Sequence, residues 1–277
     1  MTEHNNTWIW IDGQWQTHWP SLDRATQYGD GLYETCRLNQ QGDMPLWSWH
    51  QQRLLHGLVA LDFPIDSMQH IEHALAALPK HPYRGLKLLV SRGAGERGYG
   101  YQSDWPIHLQ LQLFQPPAWG HERYPFGVDT GINDVRLAQQ PLLAGIKHNN
   151  RLEQVMARAR FAPHWQESIL LDTQGNVTEG CMSNLYLLEG EQWVTPMLDQ
   201  AGVNGVIRRW LSQHTPMREE RIDLARLHQA DAVFMSNALN GFVMVRSVDQ
   251  MRYDTSIGSV AQRMQQHWQT QLQELWQ

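Results

Sequence analysis

Gln115-Pro116-Pro117-Ala118-Trp119-Gly120 constrains the fold more than any other stretch of this 277-residue chain. Two adjacent prolines remove two backbone donors and, with the glycine, stop any strand or helix from running through. The chain therefore divides into residues 1–117, a smaller N-terminal α/β subdomain, and residues 118–277, a larger C-terminal one. Before the break, Thr7 to Trp19 reads as a hairpin turning at Asp12-Gly13, and Gly31–Leu38 reads as a strand. Leu54, Leu55, Leu58 and Leu61 form the apolar stripe of a helix beginning at Ser48, and a second helix fits Asp66 to Leu78, ended by Pro79. Strands follow at Gly85–Arg92 and Ile107–Phe114, the latter alternating leucine with glutamine. After the break come a strand near Phe126–Thr130, a helix from Asn149 to Phe161 and a strand at Ser168–Asp172. A hairpin (Met182–Glu189 with Gln192–Pro196), a helix Val203–His214, strands Ala232–Ser236 and Phe242–Val248, and a helix Ile257–Leu275 complete the reading. Strands and helices mix without βαβ regularity, so the predicted class is α+β with two subdomains.

Composition then removes whole classes of function. With 42% hydrophobic and 18% charged residues, the chain can bury a core. Its net charge of −6 lacks the concentrated basic face that a nucleic-acid partner demands. No apolar run approaches the roughly 20 residues that span a bilayer, so no membrane partner is expected. The polar start Met1-Thr2-Glu3-His4-Asn5-Asn6 has neither a basic n-region nor an apolar h-region, so no export signal is expected and the cytoplasm is the expected compartment. Cys36 and Cys181 form no redox or metal spacing. His70 and His73 share a helix face, but nothing nearby completes a metal set, so no metal is expected. Gly93-Ala94-Gly95-Glu96-Arg97-Gly98 matches a dinucleotide-binding glycine fingerprint, yet the following Tyr99-Gly100-Tyr101-Gln102-Ser103-Asp104-Trp105-Pro106 is turn-like rather than the helix such a site needs. The stretch reads as a flexible loop or as a substrate loop carrying Arg92 and Arg97.

Lysine is scarce: Lys80, Lys87 and Lys147 stand against nineteen arginines. Lys80 lies in a Pro-flanked turn and Lys87 within a strand, where a solvated head group is the ordinary reading. Lys147 follows apolar Leu142-Leu143-Ala144-Gly145-Ile146 and precedes His148-Asn149-Asn150-Arg151. A desolvated amine in such a place becomes nucleophilic near neutral pH; taken alone, Lys147 reads equally as a helix-capping lysine. Gly202-Val203-Asn204-Gly205-Val206-Ile207 opens a helix whose first amides, at Val206 and Ile207, suit an anion, though a simple capped helix start has the same look. Asn237-Ala238-Leu239 offers a second set of amides, and Arg53 a fixed cation. Glu179 reads either as a turn glutamate or as the acid that holds a proton on a heterocyclic nitrogen. A lysine, a phosphate cradle and such an acid are what pyridoxal phosphate requires.

At these residues the chain resembles the fold type IV pyridoxal-phosphate enzymes, which include branched-chain aminotransferases, D-amino acid aminotransferases and aminodeoxychorismate lyases. The shared pieces are Asp23-Arg24-Ala25 with Tyr28-Gly29-Asp30-Gly31-Leu32-Tyr33-Glu34-Thr35, His50-Gln51-Gln52-Arg53-Leu54, Gly145-Ile146-Lys147, Val177-Thr178-Glu179-Gly180 and Asn204-Gly205-Val206-Ile207-Arg208. The resemblance implies two subdomains with a cofactor cleft between them and pyridoxal 5'-phosphate as cofactor. It implies Lys147 as Schiff-base lysine, Glu179 at the pyridine nitrogen, Arg53 as phosphate arginine, and Val206, Ile207, Ala238 and Leu239 as phosphate amides. The chain departs from some aminotransferases in lacking a hydroxyl at Ile207 and in carrying Asn237-Ala238-Leu239 where they have a Ser/Thr run.

Within that family, Ser91–Tyr99, Leu143–Gln154 and Leu198–Gly205 look specifically like the lyases that release 4-aminobenzoate and pyruvate from aminodeoxychorismate for folate synthesis, and that are usually homodimers. That resemblance implies a second catalytic group, Thr35 or the released Lys147, to protonate the leaving enolpyruvyl ether. It also implies arginines for a dianionic substrate, with Arg97 and Arg37 the candidates. An aminotransferase is the alternative, kept open by Tyr33-Glu34, a pair that aminotransferase-like members share. A retired, ligand-binding homologue is a further class, against which stands the retention of Lys147 and Glu179 together.

Overall fold

A computed structural model describes residues 6–95 and 97–276. The N-terminal stretch read for an export signal, apart from Asn6, and Glu96 of the glycine-rich loop lie outside the described residues. The chain divides into two units: Met1–Pro116 with Ile146–Asn150, and Pro117–Gly145 with Arg151–Gln277.

In the first unit the elements run β1 (Thr7–Ile11), β2 (Gln14–Gln16), α1 (Arg24–Tyr28), β3 (Gly31–Arg37), α2 (Trp47–Ala60), α3 (Ser67–Ala76), β4 (Gly85–Ser91) and β5 (His108–Phe114). The five strands form one antiparallel sheet in the order β2-β1-β5-β4-β3. Period-two alternation sets its two faces. Leu86, Leu88, Val90, Leu109, Leu111 and Leu113 point one way and are buried with Leu54 and Leu58 of α2 and Ile71 and Ala74 of α3. Each such leucine, valine or isoleucine contributes roughly 1.5–3 kcal/mol through burial. The stripe on α2 is narrower than the sequence suggests. Leu54, Leu58 and Leu61 lie on one line of the helix, whereas Leu55, about 100° round from Leu54, is exposed.

The second unit holds α4 (Gly120–Arg123), β6 (Val128–Thr130), β7 (Ile132–Leu137), α5 (Leu152–Arg158), β8 (Ile169–Asp172), β9 (Val177–Gly180), β10 (Asn184–Glu189), β11 (Gln192–Pro196), α6 (Val206–His214), β12 (Met217–Glu220), α7 (Leu224–Gln229), β13 (Ala232–Asn237), β14 (Gly241–Val248), β15 (Met251–Arg252) and α8 (Val260–Glu274). Its larger sheet runs β12-β11-β10-β13-β14-β15 with β6 beside β14, and β7-β8-β9 form a smaller one. Leu185, Leu187, Val194, Val233, Met235, Val243 and Val245 fill its core.

Of the expectations that change, three bear on the candidate site. The helix expected from Asn149 begins only at Leu152, because Asn149 and Asn150 bond instead to the start of β3 and to the glycine that ends α1. The Asn149 amide donates to Gly31 O at 2.9 Å, and Asn150 Nδ2 donates to Gly29 O at 3.1 Å. β7 and β9 arise where no strand was expected, as the two edges of the three-stranded sheet. Arg92 is no substrate arginine: it is buried, with Nε on Asp30 Oδ2 (2.9 Å) and Nη1 on Asp62 O (2.8 Å). Among the described residues no helix is long and apolar enough to cross a membrane, and no His/Cys/Asp/Glu cluster could hold a metal.

Candidate active site

The first unit gathers its candidate residues on β3, α2 and the segment at 146–150. Along β3, Leu32, Glu34 and Cys36 face inward and are buried, while Tyr33, Thr35 and Arg37 share the opposite, half-buried face. The Tyr33 amide donates to the Lys147 carbonyl at 3.0 Å, which fixes the lysine backbone alongside the strand. Lys147 is half-buried, and its Nζ stands 4.3 Å from the Tyr33 ring centroid, within cation–π range. A capping role for Lys147 does not fit, since α5 starts five residues later with Arg151 at its N-cap. Lys87 of β4, paired with Thr35 of β3, has its Nζ 5.7 Å from the same ring and is otherwise exposed.

Arg53 and His50, one helical turn apart on α2, both reach Glu34. Arg53 Nε donates to Glu34 Oε1 at 2.8 Å and Nη2 to Oε2, a bidentate pair. His50 Nδ1 lies 2.7 Å from Glu34 Oε2. Burial by itself would raise the Glu34 carboxyl, but the Arg53 guanidinium and His50 outweigh it and hold it at about 2. Burial lowers His50, so its ring is neutral at pH 7. An ionised Glu34 can only accept, so His50 carries its proton on Nδ1. Arg53 is thus a fixed cation with two nitrogens committed to Glu34.

The second unit places Glu179 and the amides together. Glu179 is buried on β9 rather than turned to solvent, and its Oε2 accepts from the Val203 amide at 2.8 Å. Asn184, at the start of β10, holds the same turn from below: its Nδ2 donates to Val203 O at 2.7 Å and its Oδ1 accepts from the Gly205 amide at 3.0 Å. α6 follows with Gly205 at its N-cap and no side chain bonded there, so the first-turn amides of Val206 and Ile207 have no acceptor within the helix. Arg208 is structural: it bonds Asn204 Oδ1, Pro196 O and Glu219. Ala238 and Leu239 form the turn between β13 and β14, where Asn237 Oδ1 accepts from the Leu239 amide at 3.0 Å. Arg97 lies exposed in its loop. That loop is held by Arg24, whose guanidinium donates to the carbonyls of Gly98, Tyr99 and Gly100.

Residues 31–248 match the amino-transferase class IV family. The chain belongs to that family. Among relatives, this class IV chain is 34% identical to an aminodeoxychorismate lyase of Vibrio harveyi, over 93% of its own length and 98% of that protein. A 4-amino-4-deoxychorismate lyase from Pseudomonas aeruginosa has the same fold, with a TM-score of 0.86 and 34% identity over 96% of this chain and 98% of that one. A D-alanine aminotransferase of Staphylococcus epidermidis is more distant, at 24% identity over 91% of each chain.

Sequence reasoning passed over Tyr33, Glu34, His50 and Asn184 as site residues. A signal existed for two of them: a glutamate on the apolar side of β3, and a histidine three residues before Arg53 on one helix face. Nothing in the sequence marks Asn184, whose partners are 19 and 21 residues away.

Proposed function

We propose that this chain is a pyridoxal-phosphate-dependent lyase that converts 4-amino-4-deoxychorismate to 4-aminobenzoate and pyruvate. The observation that carries the reading is the donor set: a half-buried primary amine, a fixed guanidinium, a buried carboxylate and helix-start amides, in a chain similar to such lyases over nearly its whole length. The glycines of the second unit fit an anion cradle. A Cβ on Gly205 would stand 1.9 Å from Asn184 Oδ1, and one on Gly202, at φ +88, would press on Leu198, Thr178 and Glu179. Bare backbone at these positions leaves the amide edge open to a phosphate.

In this reading Lys147 bears the cofactor, Glu179 pairs with its pyridine nitrogen, and Arg53 with the amides of Val206, Ile207, Ala238 and Leu239 holds its phosphate. Leu239 must exchange or share its bond to Asn237 to do so. Bound pyridoxal phosphate supplies an electron sink for the carbon that loses its proton. Once the substrate's amino group has displaced it from the cofactor, Lys147 Nζ, which stands over Tyr33, would take that proton. Thr35, on the same face of β3 as Tyr33, stands with Lys147 as donor to the departing enolpyruvyl group. Arg37 on that face and Arg97 in its loop meet the two substrate carboxylates. The reaction redistributes the substrate's own atoms, so no second substrate is consumed. We also propose a cytoplasmic homodimer as the working form, consistent with two buried free thiols and an exposed apolar face on α5.

Incubation with aminodeoxychorismate alone should yield pyruvate and 4-aminobenzoate in equal amounts, and Lys147→Ala should abolish both. Efficient amino transfer from D-alanine or branched-chain amino acids to 2-oxoglutarate, with negligible aromatic product, would replace this reading with that of an aminotransferase.

A further inference from the structure

Glu167 is buried and forms no ion pair among the described residues. Its Oε1 accepts from the Ser168 amide at 2.9 Å, and its Oε2 from the Met182 amide at 3.1 Å and Ser183 Oγ at 2.9 Å. Burial pushes its carboxyl up to about 7, and the hydrogen bonds from Ser168, Ser183, Met182 and Cys181 only partly offset this. A carboxylate kept in such surroundings is costly, so what it holds in place is informative.

It holds the turn at 181–184. That turn begins directly after Glu179 and Gly180, and is closed by the Gly180 amide on Ser183 O at 2.6 Å. From it, two braces run to the two sets of candidate phosphate amides. Asn184, the last residue of the turn, accepts from the Gly205 amide and donates to Val203 O, which fixes the entry to α6. Ser183 Oγ accepts from Asn237 Nδ2 at 3.3 Å, and the same nitrogen donates to Met182 O at 3.2 Å. Asn237 Oδ1 in turn accepts from the amides of Leu239 (3.0 Å) and Asn240 (2.8 Å), which shapes the β13–β14 turn. One buried carboxylate therefore stands at the root of both amide turns, with Glu179 on β9 just before the turn at 181–184.

We propose that Glu167 is a positioning residue for the cofactor's phosphate, acting through the turn at 181–184 on the amide turns at Gly205 and Asn237. This rests on the reading that pyridoxal phosphate is held at those amides. Binding of two probes to the apoprotein separates positioning from plain scaffolding: pyridoxal phosphate, and pyridoxal, which carries the same aldehyde and ring but no phosphate. Glu167→Gln keeps the side-chain shape but turns an amide nitrogen towards donors, and Ser183→Ala removes only the hydroxyl that joins Glu167 to Asn237. Each should raise the Kd for pyridoxal phosphate about tenfold while changing that for pyridoxal by less than about twofold. Melting curves confirm that each variant is folded, and Ser183→Ala carries the comparison if Glu167→Gln is not. Equal losses for both probes, or no loss for either, would overturn the positioning role and leave the cofactor reading intact. Failure of the unaltered protein to bind pyridoxal phosphate would instead remove the cofactor reading, and this inference with it.

Discussion

Glu34 and Glu167 are both buried carboxylates, and their neighbours drive them in opposite directions. Arg53 and His50 hold Glu34 at about 2 against burial, below the ordinary 4.5. Its contribution to stability is therefore present above pH 4.5 and is lost as pH falls towards 2, a difference on the order of 3 kcal/mol. Glu167, raised by burial, stands at about 7, above the same ordinary value. The unfolded chain releases that proton first, so its contribution is complete below pH 4.5 and is lost as pH rises to 7. Melting temperatures from pH 2 to 8 should show both effects. Glu167→Gln should remove the decline between pH 4.5 and 7, whereas Glu34→Gln should be destabilised at pH 7, because Arg53 is left buried without its partner, and should approach the unaltered protein as pH falls. A Glu167 variant with an unchanged slope would show that this carboxyl does not titrate there.

At the scale of elements, what periodicity governs was legible in the sequence and what distant partners govern was not. β5 and α2 emerge where alternating or stripe-like leucines dictate, and the Asp12-Gly13 turn sits between β1 and β2 as expected. β9 was missed because Val177-Thr178-Glu179-Gly180 has no apolar alternation of its own; pairing with β8 makes it a strand and buries Glu179. The start of α5 shifted because Asn149 and Asn150 bond to residues more than a hundred positions earlier, which no local pattern reports. The same holds for α6. Its first amides could be read from the glycine turn, but the two bonds from Asn184 that aim them could not. Those bonds give Gly205 a testable requirement. Its backbone is ordinary, at φ −64, so a side chain is barred by Asn184 alone, whose Oδ1 would stand 1.9 Å from the new Cβ. Gly205→Ala should displace Asn184, cost roughly 1–3 kcal/mol through over-packing, and weaken pyridoxal phosphate more than pyridoxal. Unchanged stability and cofactor affinity would mean that Asn184 gives way freely.

For the whole molecule the open question is what covers α5. Leu152, Val155 and Met156 fall on one helix face at spacings of three and four, and they remain 70%, 62% and 41% exposed. In a chain of net charge −6, long-range repulsion opposes self-association, so a homodimer needs local apolar burial to hold it. Burying a fully exposed side chain of this kind contributes roughly 1.5–3 kcal/mol, and these three, already partly covered, gain only a fraction of that, against an association cost of about 4–15 kcal/mol. They can therefore anchor an interface but not supply the whole of it, and further surface must join them. The proposed homodimer predicts a solution mass twice the 32.2 kDa of the chain, by light scattering or sedimentation. Val155→Glu would place a charge at the centre of that face without touching a core residue. It should shift the protein towards a 32.2 kDa species at micromolar concentration while leaving its melting transition cooperative. A monomeric unaltered protein would end the dimer proposal, and a Val155→Glu variant that stays fully dimeric would move the interface away from α5.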